Sequence, residues 1–157
     1  MKLFFKNINL NPECKICVNN TILYKGAVRP MISLDLSESG PYVLRIYFTN
    51  KLPTDTQVDE KGNIIADKNF ELDKIIIDDY DLEDLKWLSK YIAEDGNIYE
   101  SCLFFGPKGH FEIVLSDPIL PWILEQKHIK NNNDPTWQED YNYYTEAWKI
   151  LNQISKK

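Results

Sequence analysis

The chain lacks the sequence signatures by which many enzymes and membrane proteins are recognised. It contains no GxGxxG and no GxxxxGK[ST] pattern, which excludes the two common phosphate-binding loops. It contains no run of about eighteen or more apolar residues, which excludes a membrane-spanning helix. Only two histidines are present, His110 and His128, so candidates for a catalytic base are few. The absences leave a protein whose role must be inferred from its surfaces.

Cysteine is scarce as well. Three cysteines, an odd number, do not form a disulfide framework in a chain of 157 residues. Near the N-terminus only Leu3, Phe4 and Phe5 are consecutive apolar residues before Lys6, which is too short a run for a signal peptide. We therefore expect a cytoplasmic protein with reduced thiols.

Basic residues are outnumbered by acidic ones, 18 to 24, and the formal net charge is −6. This balance argues against a protein that binds duplex nucleic acid through its phosphates, because such binding needs a basic face. A partner protein with a basic surface fits the charge better. Hydrophobic residues make up 43% of the chain, enough for a packed core, and the length suits a single domain, residues 1–157.

The first half of the sequence alternates apolar and polar residues with period two, which is typical of β-strands. We predict strands over 2–10, 15–18, 21–24, 31–36, 42–48 and 70–77. Asn19 and Asn20 separate two of them and tolerate positive φ, which predicts a tight hairpin. The polar stretch 49–69 contains Pro53 and Gly62 and is predicted to be a mobile loop or a peripheral hairpin.

The second half contains helical spacings. Leu82, Leu85, Leu88 and Ile92 predict a helix over 81–94 that ends at Gly96. Further helices are predicted over 118–129 and 135–155, and residues 98–105 and 110–115 are predicted to form a hairpin. Helices do not alternate with strands, so the expected fold class is α+β. We expect a mainly antiparallel sheet or a partly open β-sandwich in the N-terminal two-thirds of the chain.

Aromatic residues recur in the last quarter of the chain at spacings of four and three. Trp137, Tyr141, Tyr144, Trp148 and Leu151 would lie on one face of the helix over 135–155. Such a stripe either packs on the domain or contacts another molecule. We predict that Tyr141, Tyr144 and Trp148 contribute to partner binding, and that an outward-facing stripe would produce a homodimer.

Carboxylates are most concentrated between residues 78 and 84. Asp78, Asp79 and Asp81 follow a predicted strand and precede a predicted helix, where acidic side chains stabilise the helix N-terminus. The spacing does not match an EF-hand. We interpret these residues as helix-capping groups that also form an acidic edge able to contact a basic partner.

Cys14 and Cys17 have the spacing of a zinc-binding pair, and Cys102 with His110 would complete a tetrahedral set. However, Cys17 lies within a predicted strand, no second CxxC pair exists, and the first pair lacks a glycine turn. Buried structural cysteines explain the pattern better. We therefore predict no metal and no cofactor, and keep these four residues as the weaker alternative.

Three hypotheses for function remain. The first is a small acidic, non-enzymatic protein that binds or inhibits another protein, of the immunity, antitoxin or phage-accessory type. The second is a carbohydrate-binding β-sandwich, which would expose two coplanar rings near a carboxylate and is suggested by the nine tyrosines and by Trp87, Trp122, Trp137 and Trp148. Core packing of Trp87 and Trp122 between helices and the sheet explains those two residues better. The third is a metal-dependent enzyme. Enzymatic activity has the least support, because no group of residues forms a recognisable catalytic set.

Overall fold

A computed structural model describes residues 1–36 and 40–130 of the chain. This part folds mainly into β-strands, with short 3-10 segments at Pro53–Asp55 and Glu83–Leu88 and one α-helix, α1 (Ile119–Lys130). In chain order the strands are β1 (Lys2–Asn9), β2 (Glu13–Val18), β3 (Thr21–Ala27), β4 (Met31–Ser33), β5 (Tyr42–Phe48), β6 (Thr56–Val58), β7 (Ile64–Asp67), β8 (Asn69–Ile77), β9 (Tyr80–Asp81), β10 (Lys90–Ala93), β11 (Ile98–Glu100), β12 (Phe104–Phe105) and β13 (Gly109–Leu115).

The strands form two main sheets and a separate hairpin. One sheet has five strands in the order β12-β8-β1-β4, with β9 paired to β8. The other has six strands in the order β11-β10-β13-β5-β2-β3, and β6 pairs with β7 alone. Every pairing in the described ranges is antiparallel. The six-stranded order joins strands that are far apart in sequence, so its outer face is assembled from distant segments.

A single hydrophobic core lies between the two sheets. Phe70 of the five-stranded sheet packs edge-on against Phe48 of the six-stranded sheet, with ring centroids 5.1 Å apart. Phe105 likewise meets Tyr91 at 5.2 Å, and Phe70 stacks on Phe105 at 4.2 Å. Burial of these large apolar rings stabilises the face-to-face arrangement. The predicted fold class, mainly antiparallel with a partly open β-sandwich, is confirmed.

Local turn chemistry was predicted correctly at the first hairpin. Asn19 and Asn20 connect β2 to β3 with φ values of 48° and 71°. Asparagine adopts this left-handed conformation at low cost, and the resulting turn matches the twist of the strands. The Asn19 side chain also accepts a hydrogen bond from the Val43 amide at 2.8 Å, which links the turn to β5.

The helix predicted over 81–94 is wrong. The chain forms a 3-10 segment over Glu83–Leu88 and then enters β10, with Ser89 in an extended conformation. Tyr91 and Ala93 are buried in β10, and the strand pairs with both β11 and β13. The leucine spacing corresponds only to the short 3-10 segment. Pairing with two neighbouring strands determines the extended conformation of Lys90–Ala93.

The hairpin predicted between 98–105 and 110–115 is also wrong. β11 pairs with β10, whereas β12 pairs with β8 in the opposite sheet. Between them Ser101 has a φ of 55°, and the Leu72 amide donates a hydrogen bond to the Leu103 carbonyl at 2.9 Å. The chain therefore crosses between sheets where the prediction placed one continuous strand.

The polar stretch 49–69 contains the hairpin formed by β6 and β7. Its base is held by two ion pairs, Lys51 with Asp67 and Lys68 with Asp55, the second at 3.0 Å. The side chains of Lys51 and Asp67 are only 8% and 13% exposed. Ion pairs with so little exposure to water are screened less by salt than surface pairs. The two ion pairs therefore hold the base of the β6–β7 hairpin against the domain, while its tip is exposed.

Helix α1 confirms the helix predicted over 118–129 and buries Ile119, Trp122, Ile123 and Leu124. The helix predicted over 135–155, and with it the aromatic stripe, lies outside the described residues. No helix in the described ranges has the length and apolar character that crossing a membrane requires.

Candidate functional site

The outer face of the six-stranded sheet carries an alternating set of polar and aromatic side chains. β5 buries Leu44 and Ile46 and directs Arg45 and Tyr47 outward, because successive side chains of a strand point to opposite faces. In β13 the same alternation buries Phe111 and Ile113 and turns His110 and Glu112 outward. The apolar positions therefore determine which polar residues face solvent.

The strand register aligns these outward residues in two neighbouring rows across the sheet. One row, which we call the lysine row, comprises Lys25, Lys15, Tyr47, His110 and Ile92. The next, the ion-pair row, comprises Cys17, Arg45, Glu112, Lys90 and Glu100. Side chains directly opposite on neighbouring strands lie close enough to interact. The two rows share the same strands but have different chemistry.

Charges in the ion-pair row neutralise one another. Arg45 Nε donates to Glu112 Oε2 at 2.7 Å, and Lys90 Nζ lies 3.0 Å from Glu112 Oε1. Arg45 also donates from Nη1 to Asn20 Oδ1 at 3.0 Å. Burial alone would raise the pKa of Glu112, but the hydrogen bonds from Lys90 and Arg45 outweigh it, so this pKa lies below its usual value. Glu112 therefore holds two cations against the sheet.

The lysine row places like charges side by side. Lys15 and Lys25 are directly opposite each other on β2 and β3. Lys15 Nζ lies 4.1 Å from the centroid of the Tyr47 ring, a cation–π geometry. Tyr47 also stacks on His110, with centroids 4.9 Å apart and planes inclined by 25°. Within residues 1–36 and 40–130, neither lysine has a carboxylate within 4.0 Å.

His110 has a modified titration behaviour. Burial lowers its pKa below the usual value, and Arg45 and Lys90 act in the same direction, while Glu112 opposes them. The imidazole is therefore mostly neutral at pH 7 and gains its charge only in more acidic solution. At neutral pH the positive charge of this row resides on its lysines.

A groove follows the lysine row and has a volume of about 510 Å³. Its lining includes Lys15, Lys25, Tyr47, Ile92, Lys108 and His110. Gly109 forms part of the wall, where a Cβ would lie only 2.3 Å from the Ile92 carbonyl oxygen. Only glycine permits this close approach of β13 and β10 without a shift of the backbone. The pairing of β10 with β13 therefore determines the shape of this part of the groove.

The predicted acidic edge lies elsewhere in the fold. Asp78 and Asp79 are exposed and form the two-residue turn between β8 and β9, with φ values of 49° and 65°. Asp81 is engaged locally: Oδ2 pairs with Lys74 Nζ at 2.8 Å, and Oδ1 accepts from the Glu83 amide at 3.0 Å. The three carboxylates thus lie in and beside one turn. Asp78 and Asp79 are exposed to solvent, whereas Asp81 is held by Lys74 and the Glu83 amide.

The four residues of the metal alternative do not meet. Cys14 faces the core and is fully buried, whereas Cys17, also buried at 6% exposure, lies opposite Arg45 in the ion-pair row. Burial raises the pKa of Cys14 to about 12, which keeps its thiol protonated. Cys102 lies in the connection between sheets and donates to the Phe104 carbonyl at 3.5 Å. Among the residues described, no group of three or more His, Cys, Asp or Glu side chains is arranged to hold a metal ion.

The aromatic candidates are divided. Trp122 is buried in the core at 8% exposure, and Trp87 is partly buried. Tyr141, Tyr144 and Trp148 lie outside the described residues, so their role in partner binding stays a prediction.

Sequence reasoning missed the lysine row altogether. The signal that could have found it is the alternation in β2, β5 and β13, which assigns Lys15, Tyr47 and His110 to outward positions. What alternation cannot supply is the lateral order of these strands, which places three distant segments side by side.

Comparisons with known proteins give little further information. No family model matches the chain, and no curated protein matches its sequence. A solved structure of vCBM60 in complex with galactobiose is similar to it with a TM-score of 0.49 and 12% identity. The similarity covers 71% of this chain and 94% of that one. We take no argument about function from a similarity of this size.

Proposed function

We propose that this chain is a non-enzymatic binding protein that binds a partner protein through the outer face of its six-stranded sheet. The observation that supports the proposal is the groove along the lysine row. Its volume of about 510 Å³ is comparable to ligand-binding clefts in other proteins. Its tyrosine belongs to the residue types that contribute most to binding energy at protein interfaces.

An inhibitory protein of the immunity, antitoxin or phage-accessory type would act in this way, by covering a surface of its target. We include a cytoplasmic setting in the proposal, because Cys14, Cys17 and Cys102 are all free thiols, as is usual in a reducing compartment. Asp78 and Asp79 remain a second proposed contact, suited to a basic region of the same partner.

The proposal is tested by capturing the tagged full-length protein with its partner from native cells. The matched variants are Tyr47→Ala in the groove and Tyr99→Ala on the edge strand β11, where Tyr99 is 45% exposed. We expect one stoichiometric partner with the wild type and with Tyr99→Ala, and little or none with Tyr47→Ala. Urea unfolding of both variants controls for loss of the fold. A partner captured equally by all three proteins would show that the groove is not the binding site.

Carbohydrate binding is the second candidate, because Tyr47 and His110 lie in the same groove as the Glu94 carboxylate. Sugar sites commonly stack a pyranose on an exposed ring beside a carboxylate. Here, however, Lys15 lies over the Tyr47 ring and the rings of Tyr47 and His110 are stacked on each other, so these two rings do not form a coplanar platform. Calorimetric titration with neutral oligosaccharides tests this candidate. Saturable heats that Tyr47→Ala abolishes would place it above protein binding.

A further inference from the structure

We propose that the partner contributes an acidic, extended segment that lies across the lysine row. This inference rests on the proposed function, since it names the chemistry of what the groove binds. The segment would present at least two carboxylates to the lysines, followed by one apolar side chain at the far end of the groove.

The arrangement of charges is the first argument. Lys15 and Lys25 are directly opposite across β2 and β3, and like charges at such positions destabilise a sheet. One row away, the same sheet places Glu112 between Arg45 and Lys90 and gives both cations a carboxylate contact. The repulsion between the two lysines would be relieved by a carboxylate from outside. A negatively charged ligand would therefore supply the counter-charge that the lysine row lacks.

The second argument concerns how the cations are held. Lys15 is positioned over the Tyr47 ring, and Tyr47 is in turn supported by His110, so the ammonium group is placed before a ligand arrives. An ammonium has three donors, and contact with the ring leaves some of them for a carboxylate. Lys108, at one end of the groove, pairs with Glu94 at 2.8 Å. The two side chains are 45% and 65% exposed, so a ligand carboxylate can replace Glu94 at small cost.

The length of the segment follows from strand spacing. Lys25, Lys15, Tyr47 and His110 lie on four neighbouring strands, so the row spans about 14 Å at roughly 4.8 Å per strand. An extended peptide of about four or five residues covers this distance at roughly 3.3 Å per residue. Beyond His110 the row ends in Ile92, which is paired with Ile98, itself 58% exposed. An apolar side chain at this end of the segment would bury their exposed surface.

A short acidic segment fits better than a nucleic acid. The formal net charge of −6 repels a long polyanion approaching from solution. Across the outer face of the other sheet, Lys6 is already paired with Glu71 and Asp73, and Lys74 with Asp81. In the lysine row, by contrast, Lys15 and Lys25 are directly opposite each other, and neither has a carboxylate partner within the described residues. This area suits a few carboxylates.

The experiment uses a fluorescently labelled peptide of four glutamates followed by leucine, titrated with the full-length protein and monitored by anisotropy. We expect saturable binding that weakens as salt is raised and that is lost when glutamine replaces the four glutamates. Lys25→Glu should weaken binding about tenfold or more, because an attractive contact becomes a repulsive one. Lys2→Glu is the matched control, since Lys2 is an exposed lysine on the outer face of the five-stranded sheet. It should bind as the wild type does.

Three results would overturn the inference. The first is binding that does not saturate up to about 1 mM protein, a concentration at which even weak contacts are detected. The second is equal affinity for the peptide in which glutamine replaces glutamate. The third is equal weakening of binding by Lys25→Glu and Lys2→Glu. An oligosaccharide of uronic acids is titrated in parallel, and tighter, Lys25-dependent binding of that sugar would replace the peptide with an acidic glycan. If the peptide fails while partner capture still depends on Tyr47, the proposed function stands and only the acidic segment is removed. If both fail, the groove is not a binding site.

Discussion

Two neighbouring rows of side chains on one sheet face show how the same strands can serve structure and binding. In the ion-pair row, Glu112 is 13% exposed and contacts Arg45 and Lys90, so these three charges have partners within the fold. In the lysine row, Lys15 and Lys25 are directly opposite each other. Within the described residues, the Lys15 ammonium contacts the face of the Tyr47 ring and no carboxylate. A difference of two residues along each strand separates these arrangements.

The contrast between the two rows indicates which part of such a sheet is suited to binding. A neutralised row contributes stability and offers an incoming molecule little charge to interact with. A row of adjacent cations destabilises the fold by repulsion, and destabilising arrangements of this kind are expected chiefly at functional sites. Stability and binding measurements should therefore separate the two rows, because a substitution in one row should affect mainly stability and one in the other mainly binding.

The largest expected effect is the loss of stability in Glu112→Gln. The substitution removes the charge that holds Arg45 and Lys90, and we expect the free energy of unfolding to fall by about 2 kcal/mol. Glu94→Gln is the control, because the exposed Lys108–Glu94 pair should contribute less than about 1 kcal/mol. Urea unfolding measures both. Equal effects in the two variants would remove the structural role that we assign to the ion-pair row.

Acid should act on the ion-pair row and on the hairpin base before it affects the lysines. Burial raises the pKa of Asp67, but hydrogen bonds from Lys51, Thr56 and Asn69 outweigh it, so this pKa, like that of Glu112, is lowered. A carboxyl whose pKa is lowered by folding stabilises the protein at pH values above its pKa in the unfolded chain. This stabilisation is lost as the pH falls to its pKa in the folded chain.

We therefore expect stability to fall steeply below about pH 4.5. A smaller decline should precede it below about pH 6.5, because the lowered pKa of His110 lets the unfolded chain take up a proton before the folded chain does. The double variant Glu112→Gln, Asp67→Asn should start from a lower stability and lose less of it on acidification. Urea midpoints across this range provide the measurement. A decline as steep as that of the wild type would assign the acid sensitivity to other carboxyls.

Binding of the acidic peptide should strengthen modestly on mild acidification. Burial lowers the pKa of His110, so the imidazole is neutral at pH 7.5 and begins to take up a proton as the pH falls toward about 5, where most glutamates of the peptide stay ionised. The imidazole faces Tyr47, Glu112, Arg45 and Lys90, and its new charge would attract a ligand carboxylate. We expect affinity to rise about threefold, as for one exposed ion pair. The same change of pH should leave the affinity of His110→Gln unaltered, which anisotropy titrations at both pH values can check.

The smallest effect is a gain of stability. Lys25→Gln removes one of two opposed like charges, and we expect the free energy of unfolding to rise by about 0.3 kcal/mol. The gain should shrink in high salt, because screening weakens the repulsion in the wild type. Urea unfolding at low and high salt measures it. A variant less stable than the wild type would show that Lys25 has a structural role.

Much of the fold could be predicted from local signals. Asn19 and Asn20 specify a hairpin because both tolerate positive φ, and the alternation in Tyr42–Phe48 matches β5. The fold class followed from the dominance of strands and the absence of regular strand–helix alternation. The errors arose where local and long-range preferences compete. The leucines from Leu82 onward suggest a helix, yet Lys90–Ala93 gains more by pairing with two strands.

The candidate site could not be predicted in the same way. Alternation shows that Lys15, Tyr47 and His110 face outward, and elementary charge chemistry shows what each can bind. Their meeting depends on β5 lying between β2 and β13, a pairing of segments separated by more than sixty residues at its widest, as between Arg45 and Glu112. Such pairing is decided by burial of the whole core and not by any local preference.

By itself the sequence determined the period of its strands, its Asn19–Asn20 turn, its acidic balance and the side of each strand that would be buried. These properties depend on backbone sterics, side-chain polarity and neighbours a few residues away. Which strands lie side by side depends on tertiary packing, and this packing brings two lysines, a tyrosine and a histidine into one row. The physical reason is that strand order minimises the free energy of the complete sandwich, to which every distant segment contributes.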